Sequence, residues 1–420
     1  MRDLQFNKRT MLLHPAVVFS CIWFAVAFLY ALHLSRLLLY TTDQVIEVTS
    51  YIWIPFFSAV TLYAIFHHFT KWAYPSQPRV EKLKLDLLER RLSIGFRIWV
   101  LLSTAEIIAS GGLPIIWLFQ HSTKTYMDFG VPSLHGVVNA LLISIAVCRF
   151  AIYLITRQRK HLRIPIFLII WSVLVVARSL MFGSLLEFAV VFLSIKKVRP
   201  VTIVRIVSGA LIFILFFGFV GDLRQGSIDF KGIAQPTERY PDWLPSGVLW
   251  VYIYVTTPIN NLIYATESSP SANNALFPNT LSNLVPTVVR KIIFGPEASE
   301  GGSDLVTASF NVSTAYINPY QDYGMFGIAL YSMLTALACQ FFWYRAGLRD
   351  LLIFAVLMQC LIFTVFSNLF FLPPEIAQVL WLFCFFMPKL RLGRRSNSGG
   401  ISGSVRILGE YGANAAGLGR

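Results

Sequence analysis

Three arginines at the edges of apolar runs are the residues whose chemistry is easiest to name. Arg178 lies between two apolar runs (VVARSLMFGSLLEF), Arg224 just beyond another (FVGDLRQG), and Arg290 after a proline-bounded run (LVPTVVRKIIFGP). A guanidinium group binds phosphates and carboxylates through paired hydrogen bonds, so these positions could form an anion site. Two simpler interpretations stay open: an arginine near a lipid boundary also snorkels to the headgroups, and Asp222 is available as an ion-pair partner of Arg224.

Groups that could accept a proton are few at the same edges. His135 lies in VPSLHGVVNAL, and Asp222 and Asp322 occupy comparable positions. Each could serve as a general base, although a histidine satisfied by the backbone or a carboxylate paired with an arginine explains them as simply. Glu106 and Glu187 lie inside apolar runs, where a buried carboxylate is costly, so each is either functional or paired with an arginine.

The sequence argues against a metal centre, a nucleotide site and a disulfide framework. Residues 221–320 contain neither histidine nor cysteine, and Asp43 and Glu47 form no Asp-x-Asp or Glu-x-Asp pair. No nucleophile motif, glycine-rich nucleotide loop or zinc spacing is present. The five cysteines all lie in apolar runs, which predicts free thiols. We therefore expect no metal ion and no cofactor.

The composition places these residues in a membrane protein. With 56% hydrophobic and 13% charged residues, the chain has too little polar surface for a water-soluble fold of its size. Its apolar residues are gathered into stretches of roughly 20 residues, the length that a helix needs to cross a bilayer, and do not alternate as barrel strands would. The sequence predicts an all-α integral membrane protein with about ten spans, at 15–34, 46–68, 94–112, 132–155, 164–178, 181–195, 201–220, 322–344, 351–370 and 375–388.

Lysine and arginine residues mark one side of these spans. Basic clusters at alternate span ends all emerge on that side, at 2–9, 71–91, 157–163, 196–199, 345–349 and from 389 onward. By the positive-inside rule this side is cytoplasmic, which places both termini in the cytoplasm. The net charge of +14 is therefore a topology signal and does not indicate nucleic-acid binding.

The same pattern divides the chain into four parts. Residues 1–220 form a bundle of seven spans, whose first helix we expect to stay uncleaved. Residues 221–320 form a large external loop with five basic and eight acidic groups, and its many aromatic residues argue against disorder. Within it, 248–264 predicts an interfacial or re-entrant helix, because it is short and Pro258 interrupts it. Residues 321–390 hold the last spans, and 391–420 are expected to be a disordered basic tail.

Four segments, in this order along the chain and at these places in the topology, resemble the Wzy-type O-antigen polymerases of bacterial inner membranes. They are GVPSLHGVVNALL at 130–142, FVGDLRQG at 219–226, WVYIYVTTPINNL at 250–262 and FNVSTAYINPYQDYGMFG at 310–327, together with the Arg178 hairpin. The resemblance covers most of the chain from about the third span onward. Members of this family diverge widely in sequence. The resemblance therefore rests on the order and placement of the segments more than on any one motif.

The resemblance implies an enzyme that moves a growing glycan from undecaprenyl pyrophosphate onto a newly flipped, lipid-linked repeat unit at the periplasmic face. It implies no nucleotide sugar and no metal ion. Membrane lipid surrounds the enzyme, and a flippase and a chain-length regulator are its expected partners. Catalytic roles are expected for Arg224, Arg178, His135 and Asp222, and substrate binding for Arg290, Arg239, Asn261, Asn311 and Asp322.

Two alternative functions stay open. An O-antigen ligase would hand the finished chain to lipid A core, but the related ligases use a histidine in the large loop, which 221–320 lacks. A lipid-linked oligosaccharide flippase or other transporter would need polar groups through the middle of the membrane, and its duplicated halves usually leave an internal repeat. No such repeat stands out in the sequence.

Overall fold

The described part of the chain is helical. The structure, a computed structural model, describes residues 11–73, 85–120, 122–132, 134–196, 201, 204–205, 208–209, 227–241, 243–269, 271–274, 277–282, 284–285, 289, 292, 305–307, 310, 312–345 and 347–387. Its helices are α1 (Pro15–Ala31), α2 (Thr42–Ala73), α3 (Leu85–Ser110), α4 (Pro114–Phe119), α5 (Leu134–Thr156), α6 (Arg163–Leu174), α7 (Arg178–Ile195), α8 (Ser227–Ala234), α9 (Ser246–Ser268), α10 (Pro278–Ser282), α11 (Ile317–Trp343), α12 (Leu348–Ile362) and α13 (Pro373–Phe386).

Several of these helices are long and apolar enough to cross a bilayer, so the chain is an all-α membrane protein. Within the described residues there are six: Thr42–Lys71, Leu85–Phe119, Leu134–Thr156, Arg178–Ile195, Ile317–Trp343 and Leu348–Val365. Two further apolar helices, α1 and α13, are shorter. The span predicted at 164–178 corresponds to α6, which has only 12 residues. Most of the span predicted at 201–220 lies outside the described residues.

Helix contacts define two opposite ends of the bundle. Helices α3 and α5 run antiparallel, since Glu106 near the end of α3 meets His135 at the start of α5, while Glu89 near the start of α3 meets Arg149. We call these the His135 end and the Arg149 end. Helix α13 starts at the His135 end, where Pro374 packs so closely on Gly136 that a Cβ there would lie 2.7 Å from its Cγ.

Basic residues from separate helices gather at the Arg149 end. Glu89 lies 3.8 Å from Arg149, 3.5 Å from Lys160 and 3.5 Å from His161. Lys196, just after α7, donates to the carbonyl of Leu154 at 2.6 Å. The predicted clusters at 71–91, 157–163 and 196–199 therefore share one end where they are described. Which compartment faces this end is part of the proposal below.

The large loop is anchored to the membrane helices through α9. Asn260 accepts hydrogen bonds from the Tyr30 hydroxyl at 2.7 Å and from the Leu39 amide at 3.0 Å. The prediction that Pro258 interrupts this helix is wrong, because α9 continues unbroken through it. Proline removes one backbone hydrogen bond and costs about 3 kcal/mol inside a helix, but most of α9 is buried against its neighbours, and that burial offsets the cost.

Candidate functional site

A histidine and a glutamate form a hydrogen-bonded pair at the His135 end. The Nδ1 atom of His135 lies 3.1 Å from Oε2 of Glu106. The Glu106 side chain is almost fully buried, whereas 27% of the His135 side chain is exposed. A buried carboxylate beside a reachable imidazole orients the ring. The arrangement is that of a general base with a supporting carboxylate.

A chain of hydrogen bonds defines which imidazole nitrogen can accept a proton. The indole of Trp171 donates to Oδ1 of Asn139 at 3.4 Å, which turns the Asn139 amide nitrogen toward Nε2 of His135, 2.9 Å away. Because an amide nitrogen only donates, Nε2 is the acceptor and Nδ1 carries the hydrogen that is donated to Glu106. A substrate hydroxyl that displaced Asn139 would therefore meet a basic nitrogen.

The segment before α5 is built to hold this imidazole. Gly130 adopts a φ of +89°, and a Cβ added there would lie 2.6 Å from both Cγ and Nδ1 of the His135 ring. The Gly130 amide donates to the Ser110 hydroxyl at 2.9 Å, and the Val131 amide donates to Glu106 at 3.4 Å. A glycine at this position therefore satisfies both the backbone conformation and the close approach of the ring.

Arg178 lies at the same end of the bundle. It is the first residue of α7 and is exposed. The α6–α7 hairpin that carries it is joined to α5 through the bond from Trp171 to Asn139, one helical turn after His135. The fold thus brings the arginine hairpin and the histidine pair to the same end of the bundle.

Other predicted site residues have different surroundings. Arg239 is exposed in a turn of the large loop. Asn261 is buried, and its amide nitrogen donates to the carbonyls of Phe310 and Val312 at 3.0 and 2.8 Å. These bonds tie α9 to the end of the large loop. The predicted residues that lie outside the described part of the chain are Asp222, Arg224, Arg290 and Asn311.

Asp322 is fully buried at a break in α11. Its carboxylate accepts from the backbone and side-chain nitrogens of Asn279, both at 2.8 Å, and from the Thr280 amide at 2.8 Å. It therefore caps α10, the short helix of the loop. The adjoining Gly324 has a φ of +58°, which lets the backbone turn there. In this structure Asp322 positions the loop.

Sequence reasoning missed two members of the His135 group, Asn139 and Gly130, and named a third, Glu106, without its partner. Glu106 was expected to be functional or paired with an arginine, and it is paired with the histidine. Asn139 follows His135 by one helical turn and therefore shares its face, a spacing visible in the sequence. Gly130 gave no such signal, because its role depends on a backbone angle. Within the described residues, no group of three or more histidine, cysteine or acidic side chains could hold a metal ion.

Replacing Gly130 with alanine is expected to move the imidazole away from Glu106. The new methyl group would need the space of the His135 ring, and alanine is strained at this φ. Nitrogen NMR of labelled imidazoles should show Nδ1 protonated and Nε2 unprotonated in the wild type, and a changed tautomer pattern in Gly130→Ala. Gly232→Ala is the control, since nothing lies within 4 Å of a Cβ at that position. An unchanged His135 signal in a folded Gly130→Ala protein would contradict the geometry.

Comparison with known proteins yields no relative: no family model, no curated protein and no solved structure matches this chain.

Proposed function

We propose that this chain is a membrane glycosyltransferase that polymerises undecaprenyl-pyrophosphate-linked oligosaccharide repeat units. The observation that carries the proposal is the His135–Glu106 pair, an imidazole held with Nε2 as acceptor at the His135 end of the bundle. A hydroxyl nucleophile needs such a base, and a lipid-linked substrate needs it close to the bilayer. The resemblance of segments 130–142, 219–226, 250–262 and 310–327 to the polymerase family supports the same function.

The proposed step is the transfer of a glycan between two carriers. The acceptor hydroxyl gives its proton to Nε2 of His135, and its oxygen bonds to the anomeric carbon of the donor glycan. The bond from that carbon to the pyrophosphate oxygen breaks, and undecaprenyl pyrophosphate leaves with the bonding electron pair. Glu106 stabilises the imidazolium that forms. The acceptor chain, now longer, remains on its own carrier.

The leaving pyrophosphate gains negative charge in this step, and the external arginines are the groups proposed to stabilise it. Arg178, at the His135 end, and Arg224, near the start of the large loop, are assigned to the pyrophosphates, with Arg290 as a further contact. Fixed guanidinium groups in a site of low polarity stabilise developing charge more strongly than water does. Arg239 and Asn311 would then contact the glycan, and Asn261 would shape the site by tying α9 to the end of the large loop.

The proposal places the protein in the bacterial inner membrane, with the His135 end and the large loop facing the periplasm. The Arg149 end, which gathers the basic clusters, would face the cytoplasm together with both termini. A flippase that supplies lipid-linked units and a regulator of chain length are the partners that this activity implies.

One gel separates the polymerase from a ligase. In a strain that lacks the gene, a polymerase defect leaves lipopolysaccharide capped with a single repeat unit, whereas a ligase defect removes even that unit. We expect the single-unit band to persist and the long-chain ladder to disappear. Loss of both bands would favour the ligase, and an unchanged ladder would exclude both functions.

A further inference from the structure

A second carboxylate is buried in the middle of the bundle, away from the His135 site. Glu187 on α7 is 0% exposed, and Gln378 of α13, itself buried, donates through Nε2 to both of its carboxylate oxygens at 2.8 and 2.6 Å. Within the described part of the chain this neutral amide is its only hydrogen-bond donor, so Glu187 is not paired with an arginine, one of the two interpretations that the sequence left open. A carboxylate at such depth with no cationic partner is unfavourable in its ionised form.

A glutamine on a third helix, packed against α7 at Gly183, has an unused acceptor. Gln359 of α12 is 6% exposed, and its Oε1 atom is buried without a hydrogen-bond partner among the described residues. Its side chain occupies the space over Gly183, where a Cβ would lie 2.5 Å from Nε2 and 3.3 Å from Oε1.

The geometry of α7 directs Glu187 toward that acceptor. Gly183 is one turn before Glu187 on the same face of the helix, and helical side chains lean toward the preceding turn. The Glu187 carboxyl therefore extends over Gly183, into the region that the Gln359 amide occupies. Since Gly183 has no side chain, the two groups can approach each other there.

The other titratable groups around Glu187 do not favour its negative charge. Glu375, on α13, is within electrostatic range and would repel it. Cys148 on α5 and Cys360 on α12 are buried thiols that carry no positive charge. Helix α6, which also packs on α7, carries one charged residue, Arg163, and that residue is exposed.

We propose that Glu187 is a proton-binding site within the membrane, occupied at neutral pH, and that Gln359 accepts the hydrogen bond of the bound proton. One bound proton accounts for both the buried carboxylate and the unpartnered amide oxygen. It removes the buried negative charge, and it supplies a donor for the unpartnered Oε1 of Gln359. The second carboxyl oxygen of Glu187 still accepts from Gln378. This site is independent of the glycan-transfer reaction, and neither proposal needs the other.

Infrared spectroscopy of the full-length protein in lipid vesicles tests this site. The carbonyl stretch of a protonated carboxylic acid lies apart from that of a carboxylate, and it shifts in deuterated buffer. At neutral pH we expect a protonated-acid band in the wild type that Glu187→Gln removes. Glu47→Gln, which changes an exposed carboxylate, should leave the band unchanged. A folded Glu187→Gln protein that retains the full band would overturn the proposal.

A second variant tests the hydrogen bond itself and does not depend on Glu187→Gln. In Gln359→Leu the protonated carboxyl loses its acceptor, so the band should move to higher frequency without losing intensity. An unmoved band would show that Gln359 does not accept a hydrogen bond from the protonated Glu187, and would overturn that part of the proposal.

Thermal unfolding gives a further check. Glu187→Gln, which mimics the neutral acid, should keep the melting temperature, and Glu187→Ala should lower it. An equal decrease of the melting temperature in both variants would count against a protonated Glu187.

Discussion

Replacing His135 with alanine is expected to abolish long glycan chains while single repeat units still reach the cell surface. The imidazole is both reachable and held with a basic nitrogen as acceptor. A positioned general base contributes about 10²–10⁴-fold to a rate, so elongation by the purified protein should fall by roughly that factor. The gel pattern of the variant should resemble that of the deletion strain.

Two further variants extend this test of His135 as the general base. His68→Ala removes an exposed histidine of α2 and should leave the ladder intact. Glu106→Gln keeps the volume but removes the charge beside the imidazole, so it should lower the elongation rate while retaining some activity. A normal ladder from a well-expressed His135→Ala protein would remove His135 from the mechanism and leave Asp222 as the next candidate base.

Replacing Arg224 with alanine is the second change for which we expect the loss of long chains. In the proposed step the pyrophosphate gains charge as the sugar departs, and removal of one fixed cation from such a site typically costs about 10²–10³-fold in rate. Arg224→Lys should also be strongly impaired, because an ammonium group cannot reproduce the paired hydrogen bonds of a guanidinium. Chain-length analysis of surface polysaccharide from both variants measures the effect.

A matched arginine separates a pyrophosphate contact from a general effect of charge. Arg159→Ala changes an exposed arginine at the Arg149 end and should give wild-type chain lengths. Protein levels in the membrane must be compared, since a topology defect would also shorten chains. Wild-type chain length in Arg224→Ala at normal expression would contradict the assignment of this residue.

The sequence predicted much of the architecture because span length and charge asymmetry are local properties. The apolar runs anticipated the membrane helices, and the basic clusters anticipated that Arg149 and Lys160 would share one end. Helix α6 is shorter than its predicted span, and α9 passes through Pro258, because packing against neighbouring helices overrides local signals.

The site was only partly predictable for a related reason. Both His135 and Glu106 stood out as single ionisable residues in apolar surroundings, but their pairing joins two helices and appears only when the chain is folded. Asn261 and Asp322 were predicted as substrate contacts; the hydrogen bonds of Asn261 tie α9 to the end of the large loop, and those of Asp322 hold the loop to α11. A polar residue near a membrane surface does not reveal by its type whether it faces substrate or the protein's own backbone.

Cysteine accessibility tests the claim on which the proposed chemistry depends, that the His135 end and the large loop face away from the cytoplasm. Trp243 in the loop is 80% exposed, and Lys160 at the Arg149 end is also exposed, so Trp243→Cys and Lys160→Cys report on opposite sides. With an impermeant maleimide and the five native cysteines replaced, we expect Trp243→Cys to react from the periplasm and Lys160→Cys only after the membrane is opened. The reverse pattern, with Trp243→Cys reached only from the cytosol, would contradict the proposed transfer at the periplasmic face.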